Sequence, residues 1–398
     1  MELLHGAIRP YRWGSHRAIA ELQGRPVPTA GPEAELWLGD HPGAPATLDD
    51  GRSLADLIAE DPVGALGAES VDRYGQRLPF LLKVLAAEQP LSLQAHPDSD
   101  QAADGFARQT RDGVPMDAPN RSYVDVHHKP ELLCAVSRFE VLCGFREPED
   151  AARVFAAMGV ADLEWLVAVL RQDDPGQALR EAVTTLLTLP VEHRTRLVHS
   201  AVTAARGLAE SGPDAADYAM LVDLGERYPQ DAGALVALLL HHVFLEPGEA
   251  IYMPAGNLHA YLHGVGIEIM GASDNVLRGG LTEKYVDVPE LLRVLRFEVL
   301  PDPRFGAVEA VPGVRQWPVP VPEFELRRLR LDDEVTEQEL HGEGAMIVLC
   351  WSGATRLDDG ESVLTLRPGQ AAFVPANVGK VSVSGTGDSY CAGIGAGQ

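Results

Sequence analysis

LEPGEAIYMPAGNLH, from Leu245 to His259, aligns without a gap on LRPGQAAFVPANVGK, from Leu366 to Lys380. Each copy reads as a turn at Pro-Gly, a strand of apolar residues and a second turn at Pro-Ala. A repeat of this kind predicts a duplicated structural unit. Most of the chain shares its character, being rich in glycine, proline and short apolar strands, as antiparallel barrels are. Between about 148 and 240 the texture changes. EDAARVFAAM, ADLEWLVAVLRQ and QALREAVTTLLTL carry apolar residues at helical spacing, and Pro175, Pro190, Pro213 and Pro229 divide them into helices. The expected fold is mainly β with an all-helical insertion that interrupts the first unit.

The 398 residues exceed what one ordinary core needs and imply two or three domains. No run of about 18 apolar residues is present to span a bilayer. The opening MELLHGAIRPYRWGS lacks a basic region followed by an apolar one, so no secretory signal is read there and the cytoplasm is the expected compartment. Cys134, Cys143, Cys350 and Cys391 form no CxxC pair and read as buried thiols. A net charge of −25 argues against nucleic acid or an anionic membrane as partner, since both demand a basic surface. An anionic substrate must then be held by local cations. Of 33 basic residues only Lys83, Lys129, Lys284 and Lys380 are lysines. A sequence that otherwise writes arginine marks its lysines as places that need a compact ammonium. No heptad or dimer stripe is visible, and a monomer is expected.

The densest chemical signal is PFLLKVLAAEQPLSLQAHPD, from Pro79 to Asp98, in which Ser92, Gln94 and His96 alternate with Leu91, Leu93 and Ala95. In a strand these three polar side chains share one face. Glu131 in HHKPELLCAV and His259 in the repeat complete a candidate metal constellation. Two imidazoles, a carboxylate and an amide oxygen suit a borderline divalent ion such as zinc and leave positions open. Taken singly, each has a plainer reading: a polar outer strand face, a solvated strand end, a satisfied core histidine. The paired histidines His127, His128, His241 and His242 are given no ligand role, because neighbours on a strand face opposite ways. Trp13 and Trp37 are candidate sugar-facing walls, with core packing as the plainer alternative.

The first copy of the repeat resembles the second motif of the cupin family: Gly248, Pro254, Gly256 and His259 stand at its spacing. That motif's histidine points into the barrel and holds a metal. His263 stands where the family usually has asparagine. Lys380 replaces the histidine in the second copy, so the C-terminal barrel is expected to be metal-free. LPFLLKVLAAEQPLSLQAHPD, DVHHKPELLC, GNLHAYLHG and GASDNVLRGGLTEKYVDVPELL, with YRWGS and ELWLGDHPGAPA near the start, closely resemble signature segments of the type I phosphomannose isomerases. The resemblance implies two cupin (jelly-roll) barrels plus a helical domain. The catalytic barrel would take 1–147 and 241–300, the helical insertion 148–240 and the C-terminal barrel 301–398. It implies Gln94, His96, Glu131 and His259 as ligands of one zinc ion and Arg278 as the active-site arginine. The implied activity interconverts mannose 6-phosphate and fructose 6-phosphate, feeding mannose and GDP-mannose metabolism.

Moving a proton between neighbouring carbons through an enediol needs an acid/base group and charge stabilisation on two oxygens. Glu268 in GIEIM is the expected base, with an exposed strand carboxylate as its plainer reading. Lys129 and His96 are rivals for proton transfer. Arg278 serves the enediolate or the phosphate. Lys284, Lys129, Lys83 and the Ser92 hydroxyl are the expected phosphate contacts, a snorkelling chain being the alternative for Lys83. An oxygenase-type cupin enzyme and a non-catalytic sugar-binding bicupin remain the competing readings, although QAH stands where the former usually has HxH.

Overall fold

The long strand His259–Gly271 organises the first of two ten-stranded sheets in the computed structural model, which describes residues 1–342 and 344–395. Residue 343 and positions 396–398 of the expected C-terminal unit lie outside the described residues. His259–Gly271 pairs antiparallel with Leu93–Ala95 and Phe139–Phe145 along its first half, and with Phe80–Ala87 and Glu131–Ala135 along its second. The change of partners follows a register shift between Tyr261 and His263 and falls at Gly264, whose φ is +130. A Cβ there would lie 2.8 Å from the Arg138 carbonyl oxygen and the Phe139 Cα, so the bend admits only glycine.

The second sheet repeats the device. Lys380–Gly393 pairs with Glu325–Leu331, Glu337–His341, Met346–Cys350 and Ala354–Asp358, and Gly385 also has φ +130. Gly264 follows His259, and Gly385 follows Lys380, by the same five residues. The repeat legible in the sequence therefore runs on through the bend of each long strand. One short piece crosses between the sheets: Glu2–Leu4, expected with the N-terminal unit, pairs with Ala371–Val374 in the C-terminal sheet.

Strand alternation sorts burial into faces. On one face Leu82, Val84, Ile267, Ile269 and Leu132 share a continuous core with Trp317, Leu349, Phe373 and Tyr390 of the second sheet. On the other, Leu85, Leu133, Ile251, Met253 and Tyr261 line an interior that also takes charged groups. Each large apolar side chain buried this way contributes about 1.5–3 kcal/mol relative to exposure.

Helices Pro148–Ala157, Glu164–Leu170, Pro175–Thr188, Val191–Leu208 and Ala215–Arg227 fill the connection between Phe139–Phe145 and Leu240–Leu245. Pro175 opens its helix, where a missing N–H costs nothing, and the Asp174 side chain accepts from the Gln177 N–H. Ala178, Leu179, Ala182, Val183 and Leu186 form its buried stripe, continuous with Leu93, Leu142, Leu258 and Leu277 of the sheet. No helix of the described residues is long and apolar enough to cross a membrane.

One polar clasp fastens helices to strands. His242 lies 3.0 Å from Asp217 Oδ1 and 2.8 Å from Glu140 Oε1, while Arg146 donates to the other Asp217 oxygen at 2.7 Å. Burial alone would lower the His242 pKa, but the two carboxylates outweigh it and hold it above the ordinary 6.5. Burial likewise pushes Asp217 up, and His242 and Arg146 more than offset this, bringing it down to about 2. With the folded value raised, the imidazolium's contribution is fully present below pH 6.5 and is lost as pH rises through the folded pKa. His242→Leu is expected to cost about 3 kcal/mol near pH 6, where it strands two carboxylates, and distinctly less near pH 9. Urea denaturation midpoints of both proteins at the two pH values measure this; a cost that stays constant with pH contradicts the charged clasp.

Candidate metal centre

Across three neighbouring strands, Gln94 lies opposite His259 on one side and opposite Arg278 on the other. Their side chains therefore form one row on one face. His96 follows directly on Leu93–Ala95, and Glu131 opens the strand Glu131–Ala135. His96, Glu131 and His259, all buried, each bring one ligand atom within 4.8 Å of the others. Glu131 Oε1 is 3.4 Å from His96 Nε2 and 2.9 Å from Lys129 Nζ, and Oε2 is 3.3 Å from His259 Nε2. The Gln94 side-chain amide reaches the same His259 Nε2 at 3.3 Å.

Backbone carbonyls set both tautomers from behind. His96 Nδ1 is 2.7 Å from the Asn275 carbonyl oxygen, and His259 Nδ1 is 3.1 Å from that of Asn257. A carbonyl only accepts, so each Nδ1 carries the hydrogen and each Nε2 turns its lone pair into the cluster. Burial brings the His96 pKa down to about 4 against the pull of Glu131, so the ring is neutral. For Glu131 burial acts upward, but Lys129 and His96 outweigh it and hold the carboxyl well below its usual range. Both groups are already in the protonation state that a cation requires.

His96 Nε2 and Glu131 Oε2 are buried without a hydrogen-bond partner. Orphaned acceptors converging in an apolar interior are costly, and a divalent cation between them removes the cost. Two imidazole nitrogens, a carboxylate and the Gln94 amide, turned to present its oxygen, fit a borderline ion such as zinc.

Glu268 is buried rather than an exposed strand end, with 2 % of its surface accessible. Tyr261 donates to its Oε1 at 2.7 Å and Lys83 to its Oε2 at 3.1 Å. Burial raises the Glu268 pKa against the opposing pull of Lys83. Burial lowers that of Lys83, but Glu268, Glu35 and Glu131 outweigh it, so the net shift is upward. At 5 % exposure Lys83 does not snorkel, and its ammonium pairs with Glu268, because a buried cation needs a counter-charge.

Arg278 is half-buried and Lys284 exposed, and neither has a carboxylate partner among the described residues. Burial lowers the pKa of both, and the charge of Arg278 lowers that of Lys284 further. Ser92 is half-buried. Trp37 is core, packed with Leu81 and Met270; Trp13 stacks on Tyr11 at 5.7 Å. His263 is exposed. The four paired histidines bind elsewhere: His127 to Arg77, His128 to Glu323, His241 to the Leu300 carbonyl and His242 in its clasp.

Three participants were missed in the sequence: Tyr261, Asn275 and Glu35, which accepts from the Trp37 indole. Glu35 was findable, since it alternates with Leu36 and Leu38 in ELWL just as Gln94 does with its neighbours. A carbonyl such as that of Asn275 leaves no mark in side-chain chemistry.

A repeated sheet unit enclosing a buried two-histidine, one-carboxylate cluster defines a metal-binding cupin protein. Residues 1–148 match the family profile "Phosphomannose isomerase type I, catalytic domain", and residues 315–390 match "Mannose-6-phosphate isomerase, cupin domain". Mannose-6-phosphate isomerase of Escherichia coli (strain K12) is 36% identical over 395 residues, covering 97% of this chain and 98% of that protein. The Homo sapiens protein of the same name is 30% identical, with 93% and 92% covered. The crystal structure of mannose 6-phosphate isomerase from Salmonella typhimurium bound to fructose 6-phosphate and zinc aligns at a TM-score of 0.91, with 35% identity and 100% of both chains covered. The chain belongs to the type I phosphomannose isomerase family.

If the cluster holds its ion through the three converging atoms, His96→Ala, Glu131→Ala and His259→Ala will each weaken divalent-metal binding by more than the roughly 10–100-fold seen when a supporting partner is lost. Arg278→Ala will keep its metal. Plasma mass spectrometry on the dialysed proteins decides this; full metal occupancy in the Glu131 variant would sink the assignment.

Proposed function

We infer that this chain is a zinc-dependent isomerase interconverting mannose 6-phosphate and fructose 6-phosphate. The observation that carries the reading is the buried His96–Glu131–His259 cluster with its orphaned acceptors, in a chain that aligns from end to end with an enzyme bound to fructose 6-phosphate and zinc. Membership of that family leaves the oxygenase-type and binding-only alternatives without support.

Gln94, His96, Glu131 and His259 hold the ion. When bound, zinc supplies Lewis-acid stabilisation for the negative charge that develops on the substrate oxygens. Glu268 takes the proton from C2 of the aldose and returns it to C1 of the enediol. Tyr261 and Lys83, donating to its two oxygens, aim it and favour its ionised form while burial opposes ionisation, which poises it for both steps. Lys129 moves protons beside Glu131 during ring opening. Arg278, Lys284 and the Ser92 hydroxyl receive the phosphate, the two cations having no carboxylate partner among the described residues of a chain of net charge −25. The two sheets fit two cupin barrels, one comprising 1–147 and 241–300 and the other 301–398, with 148–240 as a helical domain. Four buried free thiols fit the reducing cytoplasm. The working unit is a monomer that binds neither nucleic acid nor membrane.

Exhaustive chelation is expected to abolish isomerase activity in a coupled assay and zinc to restore it; activity that survives chelation would overturn the metal's role. Glu268→Gln will retain zinc and lose about 10²–10⁴-fold in kcat. Since a base must be ionised, activity falls as pH drops through the raised Glu268 pKa. Tyr261→Phe removes a hydrogen bond to the charged form, raises that pKa further and moves the acidic limb of the kcat profile to higher pH. An unmoved limb would separate Glu268 from the rate.

A further inference from the structure

Between Arg278 and Lys284 the backbone takes a costly turn. Leu281 has φ +56, the one positive value at a non-glycine position among the described residues, and its side chain is only 1 % exposed. An L residue carrying a branched side chain is strained there and needs an external hold. Asp231 provides one: its Oδ2 accepts from the Leu281 N–H at 2.6 Å, and its Oδ1 accepts from the Gly233 N–H at 2.7 Å.

The two backbones meet closely at this point. Gly280 has φ +133, and a Cβ on it would lie 2.8 Å from Asp231 Oδ1 and 3.0 Å from the Gly233 Cα. A Cβ on Gly233 would in turn lie 3.1 Å from the Gly280 Cα and the Leu281 nitrogen. Glycine on both sides and a carboxylate bridging two amides make a fixed joint between the end of the helical segment and the loop after Leu277–Gly280. Arg278 lies three residues before Leu281 and Lys284 three after it. Arg278 is held in the ladder beside Gln94, so the joint fixes the turn through which the chain leaves Arg278 and runs on to Lys284, two cations without a carboxylate partner among the described residues.

We propose that Asp231, supplied by the helical segment, is a positioning residue for substrate phosphate: by holding the Gly280–Leu281 turn it brings Arg278 and Lys284 onto one phosphate. The proposal rests on the reading that these two cations receive the phosphate. Asp231 itself contacts neither the metal cluster nor Glu268, so its loss acts on binding and not on the proton-transfer groups.

The test compares kcat, KM for mannose 6-phosphate, zinc content and thermal midpoint in the zinc-loaded full chain. Asp231→Ala is expected to raise KM about tenfold, the scale of one hydrogen bond to a charged group, with kcat and zinc content little changed. Asp231→Asn, isosteric and keeping one acceptor oxygen, will fall between, and it covers the case in which the alanine variant does not fold. Adding Leu281→Gly to Asp231→Ala will bring KM most of the way back, because glycine adopts the turn without the carboxylate. A lower thermal midpoint with KM unchanged in both Asp231 variants would reduce the residue to a structural brace and overturn the proposal. Lys284→Gln, measured in parallel, separates the two readings. If it raises KM and the Asp231 variants do not, only the positioning role fails; if it leaves KM unchanged, the phosphate assignment fails and the proposal with it.

Discussion

An apolar interior tolerates charge only when every charge has a counterpart, and this constraint governs how the first sheet is built. Glu35, Lys83, His96, Lys129, Glu131, His259 and Glu268 are all buried there. An isolated ion would neutralise itself or unfold the site. Here Lys83 answers Glu268 and Lys129 answers Glu131, while Tyr261 and the Trp37 indole satisfy remaining carboxylate oxygens. What is left over after this pairing is specific: His96 Nε2 and Glu131 Oε2, buried in the same cluster without a hydrogen-bond partner. The metal centre is the residue of an otherwise balanced account of buried polar groups, and the same pairing that stabilises the fold fixes the protonation states the chemistry uses.

The two units show what happens when that constraint is absent. At the position of His259 the second unit has Lys380, which is exposed and paired with Glu339. Counting on by the same nine residues, Glu268 corresponds to Ser389, whose hydroxyl meets that of Thr355 in the interior. In this unit Val314, Leu329, Val348, Leu357, Leu366, Val374 and Val383 belong to an apolar core. The bend at Gly264 and Gly385 is kept, because it is a demand of the backbone. The charged interior is not, because neutral side chains fill the same space without desolvation cost.

How much of this could be read beforehand follows from the range of each interaction. The repeat, the helical texture and the alternation around Gln94 are periodic and local, so the sequence exposes them. The cluster of His96, Glu131 and His259, with Gln94 beside it, was legible because each member sits in a long, rare segment. The fate of Lys83 was not: in FLLKVLAA it looks like a lysine escaping an apolar strand, and only the register that sets it opposite Glu268 reveals a buried ion pair. Register between strands some 185 residues apart is set by packing across the whole sheet. Glu2–Leu4 joining the far sheet belongs to the same class of fact. The backbone carbonyls that set the histidine tautomers, and the positive φ at Leu281, are invisible for another reason: they belong to conformation and not to residue type.

Proton transfer and phosphate binding put opposed demands on one pocket. The first needs groups that are dry, paired and rigid, as the proposed base Glu268 is between Tyr261 and Lys83. The second needs cations that are unpaired until substrate arrives, and unpaired cations are tolerable only near solvent. On the proposed assignment the two demands separate along one ladder: Gln94 has His259 as neighbour on the buried side and Arg278 on the half-exposed side. An exposed loop is mobile by default. Arg278 is held in that ladder, whereas Lys284 lies on the exposed loop beyond it; if both are to meet one anion, as proposed, the loop has to borrow rigidity from elsewhere, and the helical segment touches it through Asp231. On this view the helices are part of the catalytic unit, because they hold still the one part of the site that cannot be buried.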